Sequence, residues 1–153
     1  MASDTVRDRS AVDWALLAAR VFVGVVFMAH GAQIMFGAFG GPGLSGFVRM
    51  MGPLGYPVAV GEFFGGLGLV VGFLSRFSAA SIIIMLGAIG MVHAKVGFFM
   101  NWAGRQPGEG FEYHLLAIGI LLPVLIAGPG RFAVGRLLPL PRAAGERPVA
   151  VLE

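Results

Sequence analysis

His30, Glu62, His93, Glu112 and His114 stand inside or at the edges of long runs of Val, Leu, Ile, Phe and Gly, where apolar side chains are expected. Imidazole and carboxyl groups exchange protons and hydrogen-bond polar guests, so the chemistry within reach is general acid–base transfer or recognition of a polar head group. A charged residue at the middle of a membrane helix costs about 2.5–3.5 kcal/mol on insertion scales, so such groups face the bundle interior and find partners. Gln33 lies one helical turn from His30 and joins the same group. Arg20 precedes both on the same run.

Two readings of these residues carry comparable weight. In one, Glu62, His30, His93 and His114 satisfy each other and lock the helices in register, as buried polar networks can. In the other they line a pocket for a quinone head group or another small polar molecule. Glu62 is then the proton acceptor or its counter-charge, and His30 and His93 orient the head group. Arg20, Gln33, Glu112 and His114 complete this candidate binding set. A b-type haem between two histidines is a weaker reading, because one pair of imidazoles is not a specific signal. No metal site is read, since the ligand types lack a metal-binding spacing. Arg20 fits a snorkelling side chain, and otherwise a contact to the head group or a lipid from the cytoplasmic half.

The elements that must position these groups follow from composition. The chain has 153 residues, 57% hydrophobic and 12% charged, against about 25% charged in a soluble domain. Such a chain cannot coat a soluble globule. Four apolar runs, about 14–36, 56–74, 78–99 and 111–127, are each long enough to cross a hydrocarbon core of about 30 Å with modest tilt. The Gly- and Pro-rich stretch 37–55 breaks the first helix from the second and leaves room for a short helix around Phe47 to Met51. The three-residue link Ser75-Arg76-Phe77 forces the second and third helices to be antiparallel neighbours. At a rise of 1.5 Å per residue, His30, Glu62 and His93 all fall roughly 25 Å from the cytoplasmic boundary, with Glu112 and His114 entering nearby from the fourth helix. Arg20 falls about 10 Å from that boundary. Gly61, Gly65, Gly68 and Gly72 recur at helical spacing and suit close packing in the bundle or a homo-oligomer. Pro123 predicts a kink in the fourth helix.

Charge supplies the orientation. Arg7, Arg9, Arg76, Arg131, Arg136, Arg142 and Arg147 fall on one side, and Arg49, Lys95 and Arg105 on the other. The positive-inside rule therefore places both termini in the cytoplasm. Trp102 and Tyr113 then fall in the outer interfacial belt. The net charge of +3 reflects these flanking arginines, and nucleic-acid binding is not implied. The absence of cysteine excludes disulfides, thiolate metal sites and thiol relays within the chain. Gly41-Pro-Gly43-Leu-Ser-Gly46 fits G-x-G-x-x-G without the strand and βαβ setting that give the pattern meaning, and is read as a loop. The first run is read as an uncleaved span, being longer than a signal-peptide core.

The order of several short motifs resembles the DoxX family. These are Arg20 to His30-Gly31, Glu62-Phe-Phe-Gly65-Gly66, Gly72-Phe-Leu-Ser-Arg76, His93 with Gly97-Phe98-Phe99, Phe111-Glu112-Tyr113, and Gly128-Pro129-Gly130-Arg131. The resemblance spans about residues 12 to 135. It implies a multi-pass protein of the bacterial inner membrane and functional weight on Arg20, His30, Glu62, His93 and Glu112. It also implies a link to quinone-coupled thiosulfate oxidation or to membrane-tethered oxidative-stress complexes. The chain departs from the family after His30, where Gln33-Ile34-Met35 stands in place of a basic residue, and after Arg131, where Phe132-Ala-Val-Gly135 lacks an acid.

The expectation is an all-α membrane bundle of four transmembrane helices, up-down, with both termini cytoplasmic. A polar N-terminal tail occupies 1–13, the membrane domain 14–128, and an Arg/Pro-rich cytoplasmic tail 129–153. Functionally it is a subunit supporting a redox or oxidative-stress complex, binding a quinone-like molecule and meeting lipid and soluble oxidoreductase subunits. The alternative is a non-catalytic scaffold that recruits those oxidoreductases. A small-solute or proton carrier comes last, because four spans show no inverted repeat.

Overall fold

A computed structural model of the chain describes residues 2–137, and the expected tail beyond Leu137, with Pro139, Arg142 and Arg147, lies outside the described residues. Its α-helices are α1 (Ala2–Phe36), α2 (Gly43–Met51), α3 (Gly55–Val71), α4 (Ser75–Ala79), α5 (Ile82–Met91) and α6 (Glu112–Ala127), with no strand among the described residues. The stretches Arg9–Phe36, Ala38–Val71 and Ser75–Lys95 are long and apolar enough to cross a membrane, and α6 is a shorter apolar helix. Together they form a four-helix membrane bundle. At 16 residues, α6 spans about 24 Å, just short of a full crossing.

The polar stretch expected as an N-terminal tail forms the first turns of α1. No Gly or Pro occurs before Gly24, and nothing local stops the helix from starting early. Along α1, Leu16, Arg20, Val23 and Phe27 form one buried stripe at three- and four-residue spacing. They meet Leu69, Ala79, Ile82, Met85, Ala117, Leu121 and Val124 in the core. Phe22, Phe64, Phe77, Ile83, Leu116 and Ile126 point outward and are exposed on the chain itself, as side chains facing lipid must be.

The most extensive helix contact is α1 on α3. Two glycines of α1 make it possible, Gly31 against the Phe63 backbone and Gly24 against Gly66. A Cβ on Gly66 would meet the Gly24 carbonyl oxygen at 2.6 Å, and one on Gly24 would meet the Gly66 oxygen at 2.7 Å. Of the expected glycine stripe, Gly65 faces open space instead. α3 ends in a Schellman motif on left-handed Gly72 (φ 74°), with the Phe73 N–H donating to the Gly68 carbonyl at 2.9 Å.

The third span differs from the continuous helix expected over 78–99. It starts at Ser75, breaks at Ala80-Ser81, and leaves α-geometry after Met91, so that His93 sits on a one-turn 3-10 helix, His93–Lys95. Gly97, at φ 123°, closes the helical stretch for good. α4 packs on both α3 and α6, whereas α5 leans on α6, leaving a gap between α5 and α3 that two cavities fill. The second and third spans are antiparallel, yet they separate beyond their link.

Beyond α6 the chain stays packed on the bundle. Gly128, Pro129 and Gly130 are buried, and the chain folds back across the Arg-rich end of the bundle. The Gly135 N–H donates to the Gly72 carbonyl at 3.1 Å, and Trp14 stacks on Phe132 at 4.5 Å between ring centroids. The Asp13 carboxylate accepts the Arg131 N–H at 2.9 Å.

Candidate functional site: a cavity with a polar end in one half of the bundle

A cavity of about 700 Å³ lies between α1, α2, α3, α5 and α6. Most of its wall is apolar, including Phe27, Ile34, Phe47 and the thioethers of Met50, Met51, Met85, Met91 and Met100. Methionine fills irregular space with a flexible, polarizable side chain and can adapt to a guest. The polar part of the wall is His30, Glu62, His93, Glu109, Tyr113 and His114.

His30 continues the inward stripe of α1, and Glu62 enters from the first half of α3. His93 comes from the end of the third span, and Tyr113 and His114 from the first turn of α6. The aromatic rings form a connected series, His30 to Tyr113 at 5.9 Å, Tyr113 to His114 at 5.4 Å and His114 to His93 at 4.2 Å between centroids.

Hydrogen bonding fixes one member of this series. His93 Nδ1 lies 2.8 Å from the Glu109 carbonyl oxygen, and a carbonyl can only accept, so Nδ1 carries the proton and Nε2 is left to accept or take up another. Glu109 is itself anchored, its Oε2 accepting the Asn101 N–H at 2.7 Å. Asn101 in turn exchanges two hydrogen bonds with Gln106 at 3.0 and 3.1 Å. The loop between the third span and α6 is thus a supported structure that holds His93 in place. By contrast, Glu62 Oε2 and His114 Nδ1 are buried without a hydrogen-bond partner. Leaving such an atom unpaired costs about 1–3 kcal/mol.

Arg20, Gln33 and Glu112 do not line this cavity. Arg20 does not snorkel either. It is 0% exposed, and its guanidinium donates to the Leu69 carbonyl at 3.1 Å and the Phe132 carbonyl at 2.7 Å. Because it shares the helix face of Leu16, Val23 and Phe27, its head is directed into the bundle. Glu112 accepts the Trp102 indole N–H at 3.0 Å, joining the outer loop to α6. The backbone of Gln33 packs against Gly41 in the turn after α1. Tyr113 and Glu109 are the polar wall residues that do not stand out in the sequence. Tyr113 follows Glu112 and precedes His114 on one helical turn, a proximity that could have flagged it. The Glu109 contact is made through backbone, which sequence does not reveal.

The His93 and His114 rings are too close at 4.2 Å to admit a porphyrin between them. Among the described residues no group of three or more His, Cys, Asp or Glu is arranged to hold a metal ion. An apolar molecule with a small hydrogen-bonding head matches the wall better, since polar groups gather at one part of an otherwise apolar cavity.

Neither a curated protein nor a solved structure matches the chain. A family model does, over residues 15–94, a segment that carries Arg20, His30, Glu62 and His93 but stops short of Tyr113 and His114. That match covers more than half of a chain folded as a four-helix membrane bundle, and the protein belongs to the DoxX family.

Proposed function

We propose that this DoxX protein is a subunit of the bacterial inner membrane that binds a quinone-like molecule in the Met-lined cavity and so supports a redox or oxidative-stress complex. The observation that carries this reading is the pair of buried, unpaired atoms, Glu62 Oε2 and His114 Nδ1, on the wall of a cavity otherwise mostly apolar. A quinone carbonyl or quinol hydroxyl supplies hydrogen-bonding partners in an apolar setting. Reduction of a quinone takes two electrons, here from a partner oxidoreductase, and two protons at its carbonyl oxygens. Glu62 and His93 Nε2 are groups of the right kind to exchange those protons, with His30 and Tyr113 orienting the head.

The test uses two substitutions at one position, with the protein in lipid nanodiscs and in its own membranes. Glu62→Leu, which removes the polar group while keeping bulk, raises the Kd for a short-chain ubiquinone analogue about tenfold. Glu62→Gln keeps most of the affinity and lowers quinone-linked turnover with assembly intact. Unchanged affinity in Glu62→Leu sinks the reading.

A non-catalytic scaffold is the second reading, and the ordered outer loop favours it. That loop presents Phe99 and Trp102, 66% and 87% exposed, on a backbone braced by Asn101 and Glu109. Under this reading Trp102→Ala releases co-purifying oxidoreductase subunits while quinone affinity stays as it was.

A further inference from the structure

All three histidines of the chain and five of its eight methionines line one cavity, that of about 700 Å³. Thioether sulfur is a soft ligand and imidazole suits several transition metals, and in a chain without cysteine no thiolate competes with them. Two of the imidazoles are arranged as metal ligands are. His93 donates its Nδ1 proton to the Glu109 carbonyl at 2.8 Å, the kind of contact that fixes ring orientation and tautomer in metal-binding histidines and leaves Nε2 as the electron-pair donor. His114 is 7% exposed, and nothing in the chain takes a proton from its buried Nδ1 or fills its lone pair. The two ring centroids stand 4.2 Å apart. An imidazole nitrogen meets a transition-metal ion at about 2 Å, so two rings at this separation can share one ion side by side.

Two thioethers belong to the same frame. Met100 precedes Asn101, whose N–H donates to the Glu109 carboxylate at 2.7 Å, and the Glu109 backbone in turn holds His93. Met91 ends α5 two residues before His93. Both methionines line the cavity. Charge then selects among ions. Glu62 keeps an unpartnered oxygen on the cavity wall, whereas the Glu109 carboxylate is engaged by Asn101. One free carboxylate balances one positive charge, and a divalent ion buried there would keep a charge uncompensated.

We propose that His93, His114 and the thioethers of Met91 and Met100 bind a soft monovalent metal ion, copper(I) in the cell. Two imidazoles without a third nitrogen or a thiolate leave zinc(II) short of its usual ligands, whereas copper(I) accepts thioether sulfur. The metal site goes beyond the reading given under Proposed function and does not need it. Because both use His93 Nε2 and His114 Nδ1, the ion and a quinone head group exclude each other.

The experiment titrates silver(I) into the full chain in nanodiscs, in chloride-free buffer and without quinone. Silver(I) has the charge and softness of copper(I) and undergoes no redox change. Wild type binds one silver(I) per chain, about a hundredfold more tightly than zinc(II). Met91→Leu combined with Met100→Leu keeps the bulk of both side chains and weakens silver(I) about tenfold or more, with zinc(II) unchanged. His114→Phe weakens silver(I) at least as much, and Met50→Leu, on α2, matches wild type. Silver(I) bound as tightly by the double leucine variant as by wild type overturns the proposal. So do several weak silver(I) sites per chain, zinc(II) bound as tightly as silver(I), or a loss in Met50→Leu equal to that in the double variant. If His114→Phe fails to assemble, the two leucine substitutions decide alone. Quinone affinity is measured on separate samples, so either reading can fail while the other stands.

Discussion

Arg20 shows what a single buried cation does in this fold. Its two donated hydrogen bonds reach the end of α3 at Leu69 and the returning segment at Phe132, so one side chain joins three separate parts of the chain. Removing it takes a donor from both carbonyls, leaving that of Leu69 the longer bond from the Gly72 N–H at 3.3 Å. Arg20→Leu is expected to lower unfolding stability by about 2–4 kcal/mol, read as a fall in Tm in detergent, with Arg20→Lys intermediate because an ammonium lacks the planar fork. A loss of quinone affinity at unchanged Tm would contradict this role. The sequence contained the clue, since Leu16, Arg20, Val23 and Phe27 share one helix face, but a depth of about 10 Å invites a snorkelling assignment. Depth and face are separate coordinates, and only the second decides where a side chain points. For His30, Glu62 and His93, depth was informative, because residues at one level on three inward-facing helices line one cavity. The atoms they hydrogen-bond stayed hidden, because His93 reaches a backbone carbonyl and Glu62 Oε2 reaches nothing in the chain.

Among the elements, the α1–α3 pair holds the bundle together, and glycine position sets how closely it packs. The sequence shows a stripe at Gly61, Gly65, Gly68 and Gly72, yet the close backbone approaches in this pair are those of Gly24 with Gly66 and, closer still, of Gly31 with the Phe63 backbone. Spacing reveals that a helix has a small-residue face, but not which neighbour that face meets. Gly66→Ala drives a methyl group into the Gly24 carbonyl and the Met28 amide, so α1 and α3 must separate, at a cost of about 1–3 kcal/mol. Gly65→Ala, with open space at the same depth, is neutral or gains up to about 1 kcal/mol from helix propensity. Thermal unfolding of the two single variants checks the contrast, and equal Tm values would refute the assigned faces. The third span was legible as a crossing but not in its break at Ala80-Ser81, because no Gly or Pro marks that break. Tertiary packing places it there, with Ala79 and Ser78 turned inward between α3 and α6.

At the scale of the whole molecule, the ends of the bundle are unlike. Asp13, Arg20, Arg76 and Arg131 meet backbone and one another at one end, where the Arg76 guanidinium also donates to the Ile126 carbonyl at the end of α6 at 3.2 Å. The Asp13–Arg131 pair, at 3.8 Å and with Arg131 half-exposed, contributes little alone. The returning segment contributes through burial of Pro129 and Ala133 and the bonds to Arg20 and Gly72. A chain ending after Leu137 should therefore keep a higher Tm than one ending after Gly128, and equal values would show that the segment is dispensable.

The same asymmetry predicts how the bundle sits in a membrane. The end closed by 129–137 also carries the Arg76 link, whereas Arg49, Lys95 and Arg105 are spread over the cavity end. The positive-inside rule counts arginines near the ends of spans, and by that count the closed end is expected to face the cytoplasm. The polar cavity then opens in the outer half of the bilayer. The chain has no cysteine, so any introduced thiol is the only one. In intact cells, Arg105→Cys should react with a membrane-impermeant maleimide and Ser10→Cys should not, until the membrane is permeabilised. The reverse pattern would invert the bundle. The cavity would then face a cytoplasmic electron donor directly, and the scaffold reading would lose its outward loop.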